Sequence, residues 1–234
     1  VADIATPLDQ MLAIYAALED AEGILITEHR IYHGFLTAPS LIRAMHDKTL
    51  ARARDENPLT KLPGNILIED YVADCVASGE GAVLAYIDFD YFKPFNDTYG
   101  FRQGDRAILL FAELCRKNAA QDHWFVGHIG GDDFFIAMKK ISAEAALVAI
   151  GSLIARFASD AESFYDPEAR SRRGIVAQDR DGQTRHFPLL SASAVVVVLP
   201  PGERSVTPDD ISAAIARFKK AAKHGEPAQP HPSD

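Results

Sequence analysis

The sequence predicts an α+β fold in which helices pack on a mostly antiparallel sheet, and three observations predict it. Residues 82–87 form an apolar run with the length of a buried strand. Two more apolar runs, 125–129 and 134–138, flank Gly130-Gly131 at the spacing of a hairpin. Helix-period segments alternate with these runs and with a valine-rich strand at 189–199. From Ile66 onward the order therefore reads α-β-α-β-β-α-β-α.

The elements follow in chain order. Leu8, Met11, Leu12, Tyr15 and Leu18 recur at helical spacing behind Thr6-Pro7, which predicts a helix over 8–21. Residues 23–27, a polar turn at Glu28-His29-Arg30 and residues 31–36 read as strand, tight turn and strand. Ala38-Pro39-Ser40 opens a helix that runs towards Arg54. Asp55-Glu56-Asn57-Pro58 is a boundary, because proline disfavours helix at the residue before it. Helices are expected at 66–76, 106–117, 143–158 and 208–223. Residues 167–187, polar and rich in Arg and Asp, read as a long surface loop or a small hairpin.

Composition bounds the function. The 234 residues carry a formal net charge of −9 with 47% hydrophobic content. That balance argues against nucleic acid or an anionic membrane as the main partner, since both reward basic surfaces. No apolar run approaches the roughly 18 residues of a membrane span. Cys75 and Cys115 lie far apart, as expected of reduced, packed thiols in a cytoplasmic protein. The eight histidines show no metal-ligand spacing. The chain starts at Val1 and ends in a proline-rich stretch, so it reads as a segment of something longer, with residues 226–234 expected to be a disordered tail.

Two segments stand out chemically. Asp88-Phe89-Asp90 directly follows the buried run, where a carboxylate is held at the end of a strand; Asp88 reads either as a cap for the next helix or as a ligand. In Gly130-Gly131-Asp132-Asp133 the glycines permit a tight turn and close approach of a ligand. The adjacent carboxylates repel each other unless a cation or donors lie nearby. Side chains alternate along a hairpin arm, so one of Asp132 and Asp133 faces a given site. Together, Asp88 and the hairpin carboxylates can supply hard oxygen ligands, a donor set that suits magnesium bridging to substrate phosphates.

Three ordered segments carry a resemblance to a family. Asn57-Pro58-Leu59-Thr60-Lys61-Leu62-Pro63-Gly64-Asn65, the stretch from Asp88 to Gly100 with Gly104-Asp105, and Gly130-Gly131-Asp132-Asp133-Phe134 resemble segments of GGDEF domains, the diguanylate cyclases. The resemblance covers roughly residues 57–225 and implies a palm-like, ferredoxin-like sheet flanked by helices, with a domain over 56–225. It implies condensation of two GTP into cyclic di-GMP with release of two pyrophosphates in a head-to-head homodimer. By matched position, Asp88, the Phe89 carbonyl and Asp132 would ligate Mg2+ (or Mn2+), and Asp132 and Asp133 would be catalytic. Asn96 and Asp105 would read guanine, backbone amides around Phe92 and Lys93 would cradle phosphates, and Lys223 would reach the triphosphate. Lys219, Lys220 and Lys223 equally suit the dipole of the last helix.

Residues 1–55, read as helix, strand, strand and helix, resemble half of a CBS motif. That places the chain among proteins in which CBS modules, and often an EAL phosphodiesterase domain, precede the GGDEF domain. The chain departs from the family pattern at Asp133 (usually Glu), His128 (usually Arg), Phe101 (usually His) and Gly225-Glu226-Pro227. Gln121-Asp122-His123-Trp124 lacks both anchors of the product-binding Arg-x-x-Asp site. The alternative is therefore a catalytically degenerate domain that binds GTP and regulates an attached EAL phosphodiesterase.

Overall fold

In the computed structural model the described residues are 1–18, 21–178, 182–203, 207, 210, 211 and 213, with backbone only for 51–54. They divide into two compact units, Val1–Asp55 and Glu56–Asp234.

The first unit opens with a two-residue strand, β1 (Ala2–Asp3), which pairs in parallel with β2 (Gly23–Glu28). The sequence pattern did not mark β1, because two residues carry no periodicity. Strand β2 pairs antiparallel with β3 (Ile31–Thr37) across a turn in which His29 and Arg30 both take positive φ. Helices α1 (Leu8–Ala16) and α2 (Ala38–Asp55) complete the unit, and Ala2, Met11, Ile24 and Leu41 form its small core. Helix α1 stops short of the expected residue 21.

The second unit is built on a four-stranded, fully antiparallel sheet in the order β5 (Phe125–Gly130), β6 (Asp133–Lys139), β4 (Ala82–Asp90), β9 (Ser191–Leu199). Strand alternation divides its residues between two faces. On one face Val83, Ala85, Ile87 and Phe89 of β4 meet α5 (Phe101–Asp122) and α6 (Ala143–Ala161). On the other, Ala82 and Leu84 meet α3 (Asn65–Ser78) through Ile68, Val72 and Cys75. The first face holds an aromatic cluster in which Phe89, Phe111, Phe134 and Phe157 stack, tilt or meet edge-on at 4.5–5.8 Å. Trp124 is buried in the same core, and both cysteines are free and buried, as a packing role requires.

Helix α5 starts five residues before the expected 106, directly after Gly100. Helix α4 (Phe92–Tyr99) fills the space between β4 and α5. The polar segment after α6 resolves into a short 3-10 turn, a two-turn helix α7 (Pro167–Arg172) capped by Asp166, and a hairpin of β7 (Gly174–Gln178) and β8 (Thr184–Pro188). Of the expected last helix, 208–223, only Asp210, Ile211 and Ala213 are described; Lys223 and the tail 226–234 lie outside the described residues. No helix among the described residues is long and apolar enough to cross a membrane.

Phe111 is fully buried between three other phenylalanine rings. Replacing it with alanine should lower the unfolding free energy by about 3–5 kcal/mol, read from urea denaturation midpoints at unchanged m-value.

Candidate active site

The chemically notable residues gather at three places: the C-terminal end of β4, the β5–β6 turn, and the first turn of α4. Asp88 is half-buried and pairs with Asp133 on one side and Ser193 on the other. Directly opposed residues of an antiparallel pair project to the same face, with Cβ atoms about 4.5–5.5 Å apart. The register therefore brings Asp133 across from Asp88 and leaves Asp132 in the turn beside it. The N-cap of α4 is Tyr91, so Asp88 is not a helix cap.

Asp90, two residues along β4, accepts hydrogen bonds from Ser191 Oγ and Ser193 Oγ at 2.7 Å each. The two carboxylates of Asp88-Phe89-Asp90 thus have different tasks: Asp90 is tied to the neighbouring strand, and Asp88 faces the hairpin. Sequence reasoning did not pick out Asp90. The available signal was serine at alternate positions of a strand otherwise made of alanine and valine.

The glycine pair makes the turn. Gly130 has φ +150° and Gly131 φ +59°, both in the region that side chains rarely enter, and the ladder between β5 and β6 shifts register between His128 and Gly130. Tyr91 also takes positive φ, at +62°, a costly conformation for a bulky residue, by about 1–2 kcal/mol. This turn sends the chain from β4 into α4, where the N–H groups of Phe92 and Lys93 belong to the first turn and have no partner within the helix ladder. Phe92 packs edge-on against Phe89 at 5.5 Å, and Lys93 forms an exposed ion pair with Asp97 at 2.6 Å.

Between α4 and α5 lies a polar group without a partner. Asn96 Oδ1 is buried and has no hydrogen bond, although a buried acceptor left alone costs about 1–3 kcal/mol. It sits against Gly104, where an added Cβ would lie 2.0 Å from that oxygen and 3.1 Å from the Phe92 ring. Glycine at 104 is what leaves room for the amide. Asp105 follows on the exposed side of α5. The structure thus brings Asp88, Phe89, Asp132 and Asp133 together, and sets Phe92, Asn96 and Asp105 along the α4–α5 junction. Lys93 lies on the outer side of α4.

His128 and Thr60, 2% and 1% exposed, are the buried polar residues of the described core. His128 Nε2 lies 3.0 Å from the Gly131 carbonyl, and Nδ1 lies 2.9 Å from Thr60 Oγ1. A carbonyl only accepts, so Nε2 carries the proton and Nδ1 accepts from the threonine hydroxyl. The neutral ring satisfies both partners, and burial pushes its pKa below the usual histidine value, outweighing the opposing effect of the Gly131 bond.

The donor set around Asp88 is all oxygen, two facing carboxylates and nearby backbone carbonyls, which suits a hard divalent cation that completes its shell with phosphate and water. Among the described residues no group of three or more His, Cys, Asp or Glu could hold a metal unaided.

The family model "Diguanylate cyclase, GGDEF domain" matches residues 55–186, more than half of the chain. The bifunctional diguanylate cyclase/cyclic di-GMP phosphodiesterase MucR of Pseudomonas aeruginosa is 29% identical over 165 residues, covering 68% of this chain and 24% of that protein. The diguanylate cyclase DgcP of the same organism is 32% identical over 93 residues, 38% of this chain and 14% of its own length. The chain thus spans a quarter or less of these relatives. Among solved structures, the coiled coil and GGDEF domain of DgcB from Caulobacter crescentus, in complex with c-di-GMP, superposes with TM-score 0.54 at 20% identity, covering 80% of this chain and 90% of that one. The FimX GGDEF domain of Pseudomonas aeruginosa gives 0.52 at 18%, covering 74% and 96%. At these identities the structures speak for the fold.

The depressed His128 pKa has a signed consequence. The unfolded chain binds a proton near pH 6.5 that the folded ring resists, so stability is full above that pH and declines as pH falls below it. Thermal melts of wild type and His128→Gln between pH 7.5 and 5.5 should show a steeper acid-side loss in wild type; parallel curves would mean the ring is not held neutral.

Proposed function

The chain belongs to the diguanylate cyclase GGDEF family, and from that premise we propose that it condenses two GTP into cyclic di-GMP and two pyrophosphates. The observation that carries the reading is the facing of Asp88 and Asp133 beside a glycine turn, within one domain with an unpartnered buried Asn96 acceptor. In each half-reaction the 3′-oxygen of one GTP forms a bond to the α-phosphorus of the other. The bond from that phosphorus to the β-phosphate bridging oxygen breaks, and pyrophosphate leaves.

Asp88, the Phe89 carbonyl and Asp132 would hold magnesium (or manganese), which would supply charge neutralisation at the phosphates, with Asp133 as a further catalytic carboxylate across from Asp88. The chain's own residues do the rest. Asn96 and Asp105 select guanine, whose ring N–H groups can donate to their oxygens. The N–H groups of Phe92 and Lys93 cradle phosphate oxygens at the start of α4. Lys93 can exchange Asp97 for phosphate, and Lys223 is proposed as a further triphosphate contact. Asp132 takes the 3′-hydroxyl proton and positions the oxygen for in-line attack. Each domain holds one GTP, so turnover needs a homodimer.

We place the reaction in the cytoplasm, where GTP is made. Residues 1–55 keep their reading as a partial CBS-like module, supported by the order α1, β2, β3, α2. An attached EAL phosphodiesterase is proposed by analogy with the bifunctional relative. The shorter Asp133 side chain favours a second reading, a domain that binds GTP and regulates that phosphodiesterase without turnover.

Purified full chain with GTP and magnesium should yield cyclic di-GMP by chromatography, and Asp132→Ala should lower the rate by about 10²-fold or more. Gly104→Ala should crowd Asn96 and weaken GTP-dependent thermal stabilisation, which for wild type at 100 times Kd is about 2.7 kcal/mol. Stabilisation by GTP without any product would favour the regulatory reading; absence of both would remove either nucleotide role.

A further inference from the structure

The turn that carries Asp132 is the part of the sheet least restrained by its own sterics. Gly130 at φ +150° and Gly131 at φ +59° have no Cβ to fix their torsions, and the ladder pair of Gly130 with Asp133 closes the turn without including Gly131, yet reacting groups must be held within about 0.5 Å. Something outside the turn has to choose its conformation.

The described structure offers one such restraint from the opening segment of the second unit. Asn57 Oδ1 accepts from the N–H groups of Leu59 and Thr60 at 2.9 and 3.1 Å, folding residues 57–62 into a closed turn. The Thr60 carbonyl accepts from the Arg116 guanidinium on α5. The turn is thereby fastened to a core helix, and it presents the Thr60 hydroxyl to His128 Nδ1 at 2.9 Å. The imidazole lies flat on Phe134, centroids 4.4 Å apart and planes 6° apart, and the His128 N–H donates to the Pro63 carbonyl at 2.8 Å. With plane, depth and rotation fixed, Nε2–H meets the Gly131 carbonyl at 3.0 Å.

We propose that His128, with Thr60 behind it, is a positioning residue that sets the rotation of the Gly131–Asp132 peptide. A trans peptide is planar, so holding the Gly131 carbonyl toward the core directs the Asp132 N–H the opposite way, outward over the site. The same restraint places the Asp132 carboxylate. The consequence for turnover rests on the cyclase reading; the restraint on the turn does not.

The test has two arms on the full chain. Hydrogen exchange is followed at residues 130–133 without nucleotide. His128→Phe keeps the stacking and removes the bond, and Thr60→Val with His128→Phe also removes the orphaned hydroxyl. Both should speed exchange at the turn about tenfold, the worth of one hydrogen bond, with β4 amides unchanged. His128→Gln, whose amide can reach Gly131, should stay near wild type.

In the kinetic arm, His128→Phe should lower kcat by about 100-fold with KM for GTP nearly unchanged, and His128→Gln should recover most of it. Unchanged exchange at the turn, or an unchanged kcat, would overturn the proposal. So would a joint loss of kcat, KM and melting temperature that glutamine does not rescue. If wild type makes no cyclic dinucleotide, the cyclase reading falls, and the exchange arm alone decides for or against the restraint.

Discussion

Strand β4 is paired along its length with β9 on one side and with β6 on the other, and its register with them is the constraint on which core and site both depend. Residues 83, 85, 87 and 89 enter the aromatic core, so 88 and 90 must lie on the opposite face. A slip by one residue would drive Asp88 among the phenylalanine rings and turn Phe89 out. A lone carboxylate in that environment costs several kcal/mol, so the hydrophobic pattern enforces the position of the acid. Phe89 links the two demands: its ring packs against Phe92, Phe111, Phe134 and Phe157, while its backbone sits between the two aspartates.

The polar groups near the site fall into two kinds. Asp90 and His128 are satisfied within the protein, by two serine hydroxyls and by a threonine hydroxyl plus a carbonyl, and they stiffen the frame. Asn96 keeps a buried acceptor without a partner, in a gap that Gly104 holds open. Stiff groups around one unmet acceptor are what a preorganised ligand site needs, because the ligand then supplies the missing bond without reordering the protein. The strained Tyr91 turn belongs with these features, since it starts α4 directly beside Asp88.

Much of this was legible in the chain. Apolar runs located β4, β5, β6 and β9, and the glycine pair located the hairpin, because strand alternation and turn chemistry are local. Short or polar elements escaped: β1 is two residues long, and α4 spans only eight residues with Pro94 inside it, too short for the spacing of Phe92, Phe95 and Tyr99 to stand out. The segment after α6 read as a long loop or a small hairpin; the hairpin of β7 and β8 is present, and the short helix α7 is what the polar composition hid.

By itself the sequence determined the α+β class, the glycine turn and the acidic motifs, because backbone propensity and hydrophobic alternation act over a few residues. Only the tertiary structure decided that Asp133 stands opposite Asp88, that Asp90 binds serines about 100 positions away, and that His128 is held by a threonine 68 positions earlier. Those choices come from cross-strand register and from hydrogen bonds between distant segments. They are settled when the core packs around β4, which no local pattern encodes.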